Sequence, residues 1–143
     1  HVLTVGADRF RLLDIVQTEP YMVAEVELLA ESDEAAVPAE VRDELRELFA
    51  DHLRLVLQLL GQPDLDIRIP DSASRLSYMV AAHLTCEPRA RQRLLEMDSL
   101  PQRFFHEKQL LQRESEEYRL LLATRRRLGT GGRKTEDETF SLN

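Results

Sequence analysis

The sequence predicts an α+β fold in which a small antiparallel sheet precedes a larger helical part. Two observations support this fold class. Residues 9–29 alternate between apolar and polar side chains, which is the period of a half-buried strand. From residue 37 onward, apolar residues recur every three or four positions, which is the period of an amphipathic helix. A chain of 143 residues has room for one ordinary domain or two small subdomains that share a core.

Three antiparallel strands are expected at the start of the chain. Residues 2–5 are β-prone and end at Gly6, residues 9–17 form the second strand, and residues 21–29 form the third after a turn at Pro20. The apolar set of the third strand comprises Met22, Ala24, Val26 and Leu28, which we expect to face the core. Three strands leave two edges with unpaired backbone groups, and such edges can pair with another chain.

The first of four expected helices runs from Pro38 to about Leu60, because Gly61 and then Pro63 give a helix stop. Its apolar positions are Val41, Leu45, Leu48, His52, Leu55, Val56 and Leu59. A second helix begins after the cap candidates Asp71 and Ser72 and ends near residue 86. A third spans residues 87–97, with a proline in its first turn.

The fourth helix is the longest, and we expect it to run from Ser99 to about Arg127 and to end at Gly129. Its apolar stripe is Leu100, Phe104, Leu111, Tyr118 and Leu122. Adjacent residues of a helix point about 100° apart, so only one ring of the Phe104–Phe105 pair can face the core squarely. Two interpretations of the other ring stay open: it belongs to the core as well, or it lines an apolar groove near the junction of sheet and helices. The groove is the hypothesis that concerns function. The predicted peptide-binding residues are Tyr78, Met79, Met97, Leu100, Phe104 and Phe105, since methionine and aromatic side chains suit variable partners.

The ordered set of motifs in this chain resembles the Lon protease amino-terminal domain, also called the LON substrate-binding domain. The helical positions that fit the family pattern are Leu76, Val80, Ala81, Leu94, Leu95, Glu96, Asp98 and Arg103. The strand positions that fit are Val5-Gly6, Arg9-Phe10-Arg11, Pro20-Tyr21 and Ala24-Glu25-Val26. The resemblance covers about residues 2–127.

The resemblance implies the second half of a PUA-like β-barrel followed by a four-helix subdomain. The expected boundaries are residues 1–30 for the β-subdomain, 31–128 for the helices and 129–143 for a flexible tail. It also implies a protein-recognition role, with unfolded or apolar protein segments as partners. In the family, an upstream half completes the barrel, so that half is a further expected partner.

Composition and motifs argue against several other functions. A net charge of −7 argues against nucleic acid as the main partner. No apolar run approaches the roughly 20 residues that cross a bilayer. The single cysteine, Cys86, fits the reducing cytoplasm. Three separated histidines, His52, His83 and His106, lack the paired spacing of a metal site, so we expect no metal and no cofactor.

Catalysis is not expected of this chain. Residues 129–135 are rich in glycine but lack the spacing of a phosphate-binding loop. The ATPase and the Ser–Lys dyad of a full Lon protease would lie in other domains, so we predict no catalytic residues here. One other function stays open, which is self-association into a homo-oligomer through the long fourth helix. RNA binding, which some PUA-like folds perform, is not expected because the chain is acidic.

Overall fold

The computed structural model describes residue 6, residues 8–30 and residues 34–131, with side chains placed as far as residue 128. A hairpin of β1 (Phe10–Gln17) and β2 (Val23–Leu28) comes first. One 3₁₀ turn (Glu34–Ala36) leads into α1 (Ala39–Leu60), α2 (Ala73–His83), α3 (Pro88–Glu96) and α4 (Leu100–Gly131). The α+β class and the four predicted helices are therefore confirmed. The predicted strand at residues 2–5 lies outside the described residues.

The two strands of the hairpin pair in antiparallel register with two irregularities in β1. Phe10 lies opposite Leu28, Leu12 opposite Val26, and Ile15 opposite Ala24. The register shifts once between residues 12 and 14 and again between residues 15 and 17, as β-bulges do. Opposed residues project to the same face of a sheet, so the first shift moves Ile15 onto the face of Leu12. Regular alternation along a strand would place these two side chains on opposite faces.

The face of β2 that was expected to face the core is instead open to solvent. Leu28 is 72% exposed, Met22 68% and Val26 42%. The reason is geometric: the hairpin is attached to the helices at its base, and no element in residues 8–30 or 34–131 covers this face. The alternation of β2 was correctly recognised, but the interpretation that its apolar side chains are buried is wrong for this structure.

The helix ends follow local signals in the sequence. Ser72 caps α2 by accepting a hydrogen bond from the backbone N–H of Arg75, and Pro88 occupies the first turn of α3. Gly61 ends α1 in the left-handed conformation at φ 72°, where its N–H reaches carbonyls of the last turn. The predicted end of α4 at Gly129 is wrong, since the helix continues to Gly131. The remainder of the predicted tail, residues 132–143, lies outside the described part of the chain.

The core lies between α1, α2 and α4, and α3 closes one side of it. The buried apolar side chains are Val37, Leu45, Phe49, Leu53, Ala73, Leu76, Val80, Leu84, Leu94, Leu100, Phe104 and Leu111. The buried stripe of α1 thus runs through Phe49, Leu53 and Leu57, whereas the predicted position Val41 is 41% exposed. None of the helices in the described residues is long and apolar enough to cross a membrane.

Candidate binding surface

The hairpin presents one continuous apolar face, which we call the hairpin face. It consists of Phe10, Leu12, Ile15, Ala24, Val26 and Leu28, brought to one side by the register and the first bulge. The large side chains of this face are between 42% and 72% exposed. The opposite side of the hairpin is polar, with an ion pair of 2.6 Å between Arg11 and Glu27. Large exposed apolar patches mark interaction sites in soluble proteins.

Arg9 joins the base of the hairpin to the turn between α3 and α4. Its side chain is almost fully buried, and Nη1 donates to the carbonyl oxygens of Leu95 and Met97 at 3.1 and 3.2 Å. The same nitrogen lies 3.4 Å from a carboxylate oxygen of Asp98, and Nη2 donates to the carbonyl of Ala30 at 3.3 Å. These bonds fix the position of the hairpin face relative to the helices.

The six residues predicted to bind peptide fall into different environments. Leu100 and Phe104 are 1% and 2% exposed, so they support the surface from within the core. Tyr78, Met79 and Met97 are half-buried, and Phe105 is 59% exposed. One ring of the phenylalanine pair therefore faces the core and the other faces solvent, as predicted. Tyr78 and Met97 line two separate cavities on opposite sides of α3, and not one groove.

The cavity between α2 and α3, which we call the α2–α3 cavity, has a volume of about 350 Å³. Its lining includes Tyr78, Ala81, Arg91, Leu94, Leu95 and Arg103. The guanidinium of Arg103 is buried at its floor, with Cζ 4.7 Å from the centre of the Tyr78 ring. This distance is that of a cation–π contact. The cavity thus combines apolar walls with two cationic side chains.

A buried carboxyl group, that of Glu107, lies one helical turn beyond Arg103. The hydroxyl of Ser77 on α2 donates to its Oε1 at 2.7 Å, and neither side chain is exposed. Burial raises the pKa of Glu107 to about 8, and the bond from Ser77 and the charge of Arg103 oppose this only in part. Glu107 is consequently protonated at neutral pH and links α2 to α4 as a neutral group.

A second polar cluster connects α1 with α4 around His52. Its Nδ1 lies 3.1 Å from the Ser115 hydroxyl, and its Nε2 lies 3.9 Å from a Glu114 oxygen that also accepts from the backbone N–H of Thr85. Burial lowers the pKa of His52, and the charge of His83 lowers it further. His52 and Ser115 are buried, so we assign the cluster to packing. In the described residues no group of three or more possible metal ligands comes together.

Sequence reasoning missed the features that shape this surface. Arg9 was assigned to a strand motif, and Glu107 was not singled out. The three arginines of α3, at positions 89, 91 and 93, were not part of the predicted site. Their signal was available, because three arginines in five residues are a dense positive group in an acidic chain.

The described residues thus combine a hairpin that has an exposed apolar face with a helical bundle that carries a cavity beside α3. A model of the family described as the ATP-dependent protease La (LON) substrate-binding domain matches residues 1–113 of this chain. The chain belongs to this family.

The curated relatives are large proteins of which this chain matches a small part. It is 30% identical over 134 residues to "Lon protease homolog 2, peroxisomal" of Bos taurus and 30% identical to that of Rattus norvegicus. The protein of the same name from Homo sapiens is 28% identical. In each case the match covers 87% of this chain and 16% of the relative.

Proposed function

We propose that this chain recognises exposed apolar segments of unfolded proteins and holds them without itself catalysing a reaction. The observation that carries the proposal is the hairpin face, an apolar surface on an otherwise charged, acidic molecule. Burying one large apolar side chain is worth about 1.5–3 kcal/mol, so contacts with this face supply the main favourable contribution to binding an apolar segment. Membership in a family of substrate-binding domains supports the same function.

The proposal is tested by titrating the protein into a fluorescently labelled, permanently unfolded protein, reduced and carboxymethylated α-lactalbumin. We expect Leu28→Ser to weaken binding about tenfold, because it removes one large contact from the hairpin face. Phe105→Ala tests the predicted groove separately. A loss of affinity in that variant would add the exposed ring to the binding surface.

The matched control is Leu60→Ser, at the end of α1. Leu60 is 67% exposed, close to the 72% of Leu28, so the two substitutions change the general surface polarity equally. Binding that is insensitive to Leu28→Ser, or equally sensitive to Leu60→Ser, would contradict recognition by the hairpin face. Circular dichroism before each titration ensures that the compared proteins are folded.

A second candidate function, self-association through α4, is favoured by one observation. Leu121 and Leu128 are 57% and 75% exposed and lie seven residues apart, which places them on one side of the helix. We expect the wild-type chain to sediment as a 16.5 kDa monomer at micromolar concentration. A dimer that Leu128→Glu dissociates and Leu28→Ser leaves intact would instead establish α4 as the interface.

Two further expectations belong to this proposal. A preceding segment that completes the β-barrel would pair with the edges of the hairpin and compete with substrates for the hairpin face. We place the chain in the cytoplasm on the basis of its single, half-buried cysteine, while the named relatives are peroxisomal proteins.

A further inference from the structure

We propose that the cavity between α3 and α4 is a second binding site, which takes an acidic segment of a partner polypeptide. We call this cavity the α3–α4 groove. Carboxylates of the segment pair with Arg93 and Arg113, and one of its apolar side chains lies against Leu94, Met97 and Leu110. The inference goes beyond the proposed function, because no residue of the hairpin face takes part.

The α3–α4 groove is formed by two helix faces that have the same spacing. Positions 90, 93, 94 and 97 of α3 line it, as do positions 106, 109, 110 and 113 of α4. Both sets follow the spacing i, i+3, i+4 and i+7, which places their members on one side of a helix. Each helix therefore presents a continuous face about 10 Å long, and the volume between the two faces is about 410 Å³.

The charges along the α3–α4 groove favour an anionic ligand. Arg93 and Arg113 line it from different helices, and among the described residues that line it none is acidic. Both arginines are exposed, and within the described part of the chain Arg93 makes no ion pair. Arg113 lies 3.5 Å from Glu117, but these side chains are 78% and 60% exposed, so the ion pair is weak and a ligand can replace it. Both guanidinium groups are thus accessible to carboxylates, which they bind through charge-assisted hydrogen bonds.

The centre of the α3–α4 groove is apolar. Leu94 is buried, and Met97 and Leu110 are half-buried and pack against the core. The exposed side chains of His106 and Gln109 add hydrogen-bond donors at the margin. An apolar centre with a polar margin is the usual arrangement of protein–protein interfaces. The groove therefore fits a ligand that combines carboxylates with an apolar side chain better than it fits a simple anion.

A polypeptide segment suits this groove better than a nucleic acid does. Nucleic acids need many cationic side chains along their phosphates, whereas the groove offers two arginines in a chain of net charge −7. No phenylalanine, tyrosine or tryptophan is among the described lining residues, so bases lack their usual stacking partners. In an extended peptide, side chains two positions apart point to the same side. Two acidic residues, each two positions from an apolar residue, thus present all three side chains to the groove together.

Met97 connects the α3–α4 groove to the hairpin. Its side chain lines the groove, and its backbone carbonyl accepts a hydrogen bond of 3.2 Å from Arg9 at the base of the hairpin. A segment in the groove therefore lies beside the element that carries the hairpin face.

The test compares three peptides of equal length by amide chemical-shift titration of the isotope-labelled full chain. The first peptide has one leucine, a glutamate two positions before it and another two positions after it, and serine elsewhere. The second has glutamine in place of both glutamates, and the third has serine in place of the leucine. We expect the first to bind at least about fivefold more tightly than either of the others, because each of them lacks one kind of contact. The largest shifts should fall on Arg93, Leu94 and Leu110.

Substitutions in the chain test the two arginines separately. Arg93→Gln and Arg113→Gln should each weaken binding of the first peptide at least about threefold, because each removes a charged partner of a carboxylate. The matched controls are Arg89→Gln on α3 and Arg119→Gln on α4, which make the same change at exposed residues outside the groove lining. Both controls should bind the peptide as the wild type does. Leu28→Ser should also leave this affinity unchanged.

Each other outcome overturns the inference. Equal affinity for the first and second peptides would show that the groove does not select carboxylates, and equal affinity for the first and third would remove the apolar contact. Control variants that weaken binding as much as Arg93→Gln and Arg113→Gln would reduce the preference to general charge. Tighter binding of a single-stranded RNA oligonucleotide at the same amides would make the groove a phosphate-binding site. Shifts confined to β1 and β2 would place the peptide on the hairpin face.

The proposed function is tested by a different measurement. The dependence of carboxymethylated α-lactalbumin binding on Leu28 reports the hairpin face, whereas the dependence of peptide binding on Arg93 and Arg113 reports the α3–α4 groove. Either result can be negative while the other is positive, so the two proposals fail independently.

Discussion

Replacing Arg9 by methionine is expected to detach the hairpin from the helices, at a cost of about 2–4 kcal/mol in the stability of the docked hairpin. Methionine retains most of the apolar stem but removes the donors to Leu95, Met97 and Ala30. A buried acceptor left without its partner costs about 1–3 kcal/mol. Water can reach some of the three carbonyl groups, so the total cost is smaller than three times that value. Hydrogen exchange should show faster exchange of the β1 and β2 amides, with the amides of α1 and α4 still protected.

Arg11→Met is the matched control for this experiment. Arg11 follows two residues later, and its ion pair with Glu27 lies on the exposed side of the hairpin. Surface ion pairs contribute about 0–1 kcal/mol, so this variant should exchange almost as the wild type does. An Arg11→Met effect as large as that of Arg9→Met would contradict the anchoring role of Arg9.

Replacing Glu107 by glutamine is expected to stabilise the protein at neutral pH by about 3 kcal/mol. The wild-type carboxyl must take up a proton to stay buried, because its pKa rises from 4.5 in the unfolded chain to about 8 in the folded one. Glutamine is neutral at every pH and keeps the oxygen that accepts from Ser77. Urea unfolding at a series of pH values measures the effect.

The pH dependence gives this prediction its sign. Between pH 4.5 and 8 the folded state binds one more proton at Glu107 than the unfolded state, so the contribution of this residue to stability decreases as the pH rises through that window. The stability difference between Glu107→Gln and wild type should therefore be small near pH 4.5, grow with pH, and level off above pH 8. Glu116→Gln changes an exposed residue of the same helix and should show no such trend. A Glu107→Gln variant that is less stable than the wild type at pH 7 would contradict the burial account.

The helical part of the fold was predictable because its signals are local. Ser72, Pro88 and Gly61 mark helix ends within a few residues of where the structure places them. The buried face of α1 was harder to predict, because leucines surround much of that helix and periodicity alone does not select a side. Packing against α2 and α4 selects Phe49 and Leu53.

The binding surface depends on features that no local pattern reveals. A bulge adds one residue to β1, and alternation in the sequence does not show where the extra residue falls. Arginine and glutamate side chains are rarely buried, and Arg9 and Glu107 are buried only because distant residues bind them. The partners of Arg9 lie 86 and 88 positions away along the chain, and the partner of Glu107 lies 30 positions away. The peptide-binding role of Tyr78, Met79, Met97 and Phe105 stays a prediction, whereas the exposure of Phe105 could be inferred from the adjacent phenylalanines alone.

The most direct test of the recognition function is an amide chemical-shift titration of the isotope-labelled chain with carboxymethylated α-lactalbumin. The size of the protein, 16.5 kDa, makes residue-level mapping practical. We predict that the largest shifts fall on β1 and β2, at Phe10, Leu12, Val26 and Leu28, with smaller shifts at the adjoining α3. Shifts confined to the exposed leucines of α4, or no shifts at saturating concentrations of the unfolded protein, would contradict recognition of apolar segments by the hairpin face.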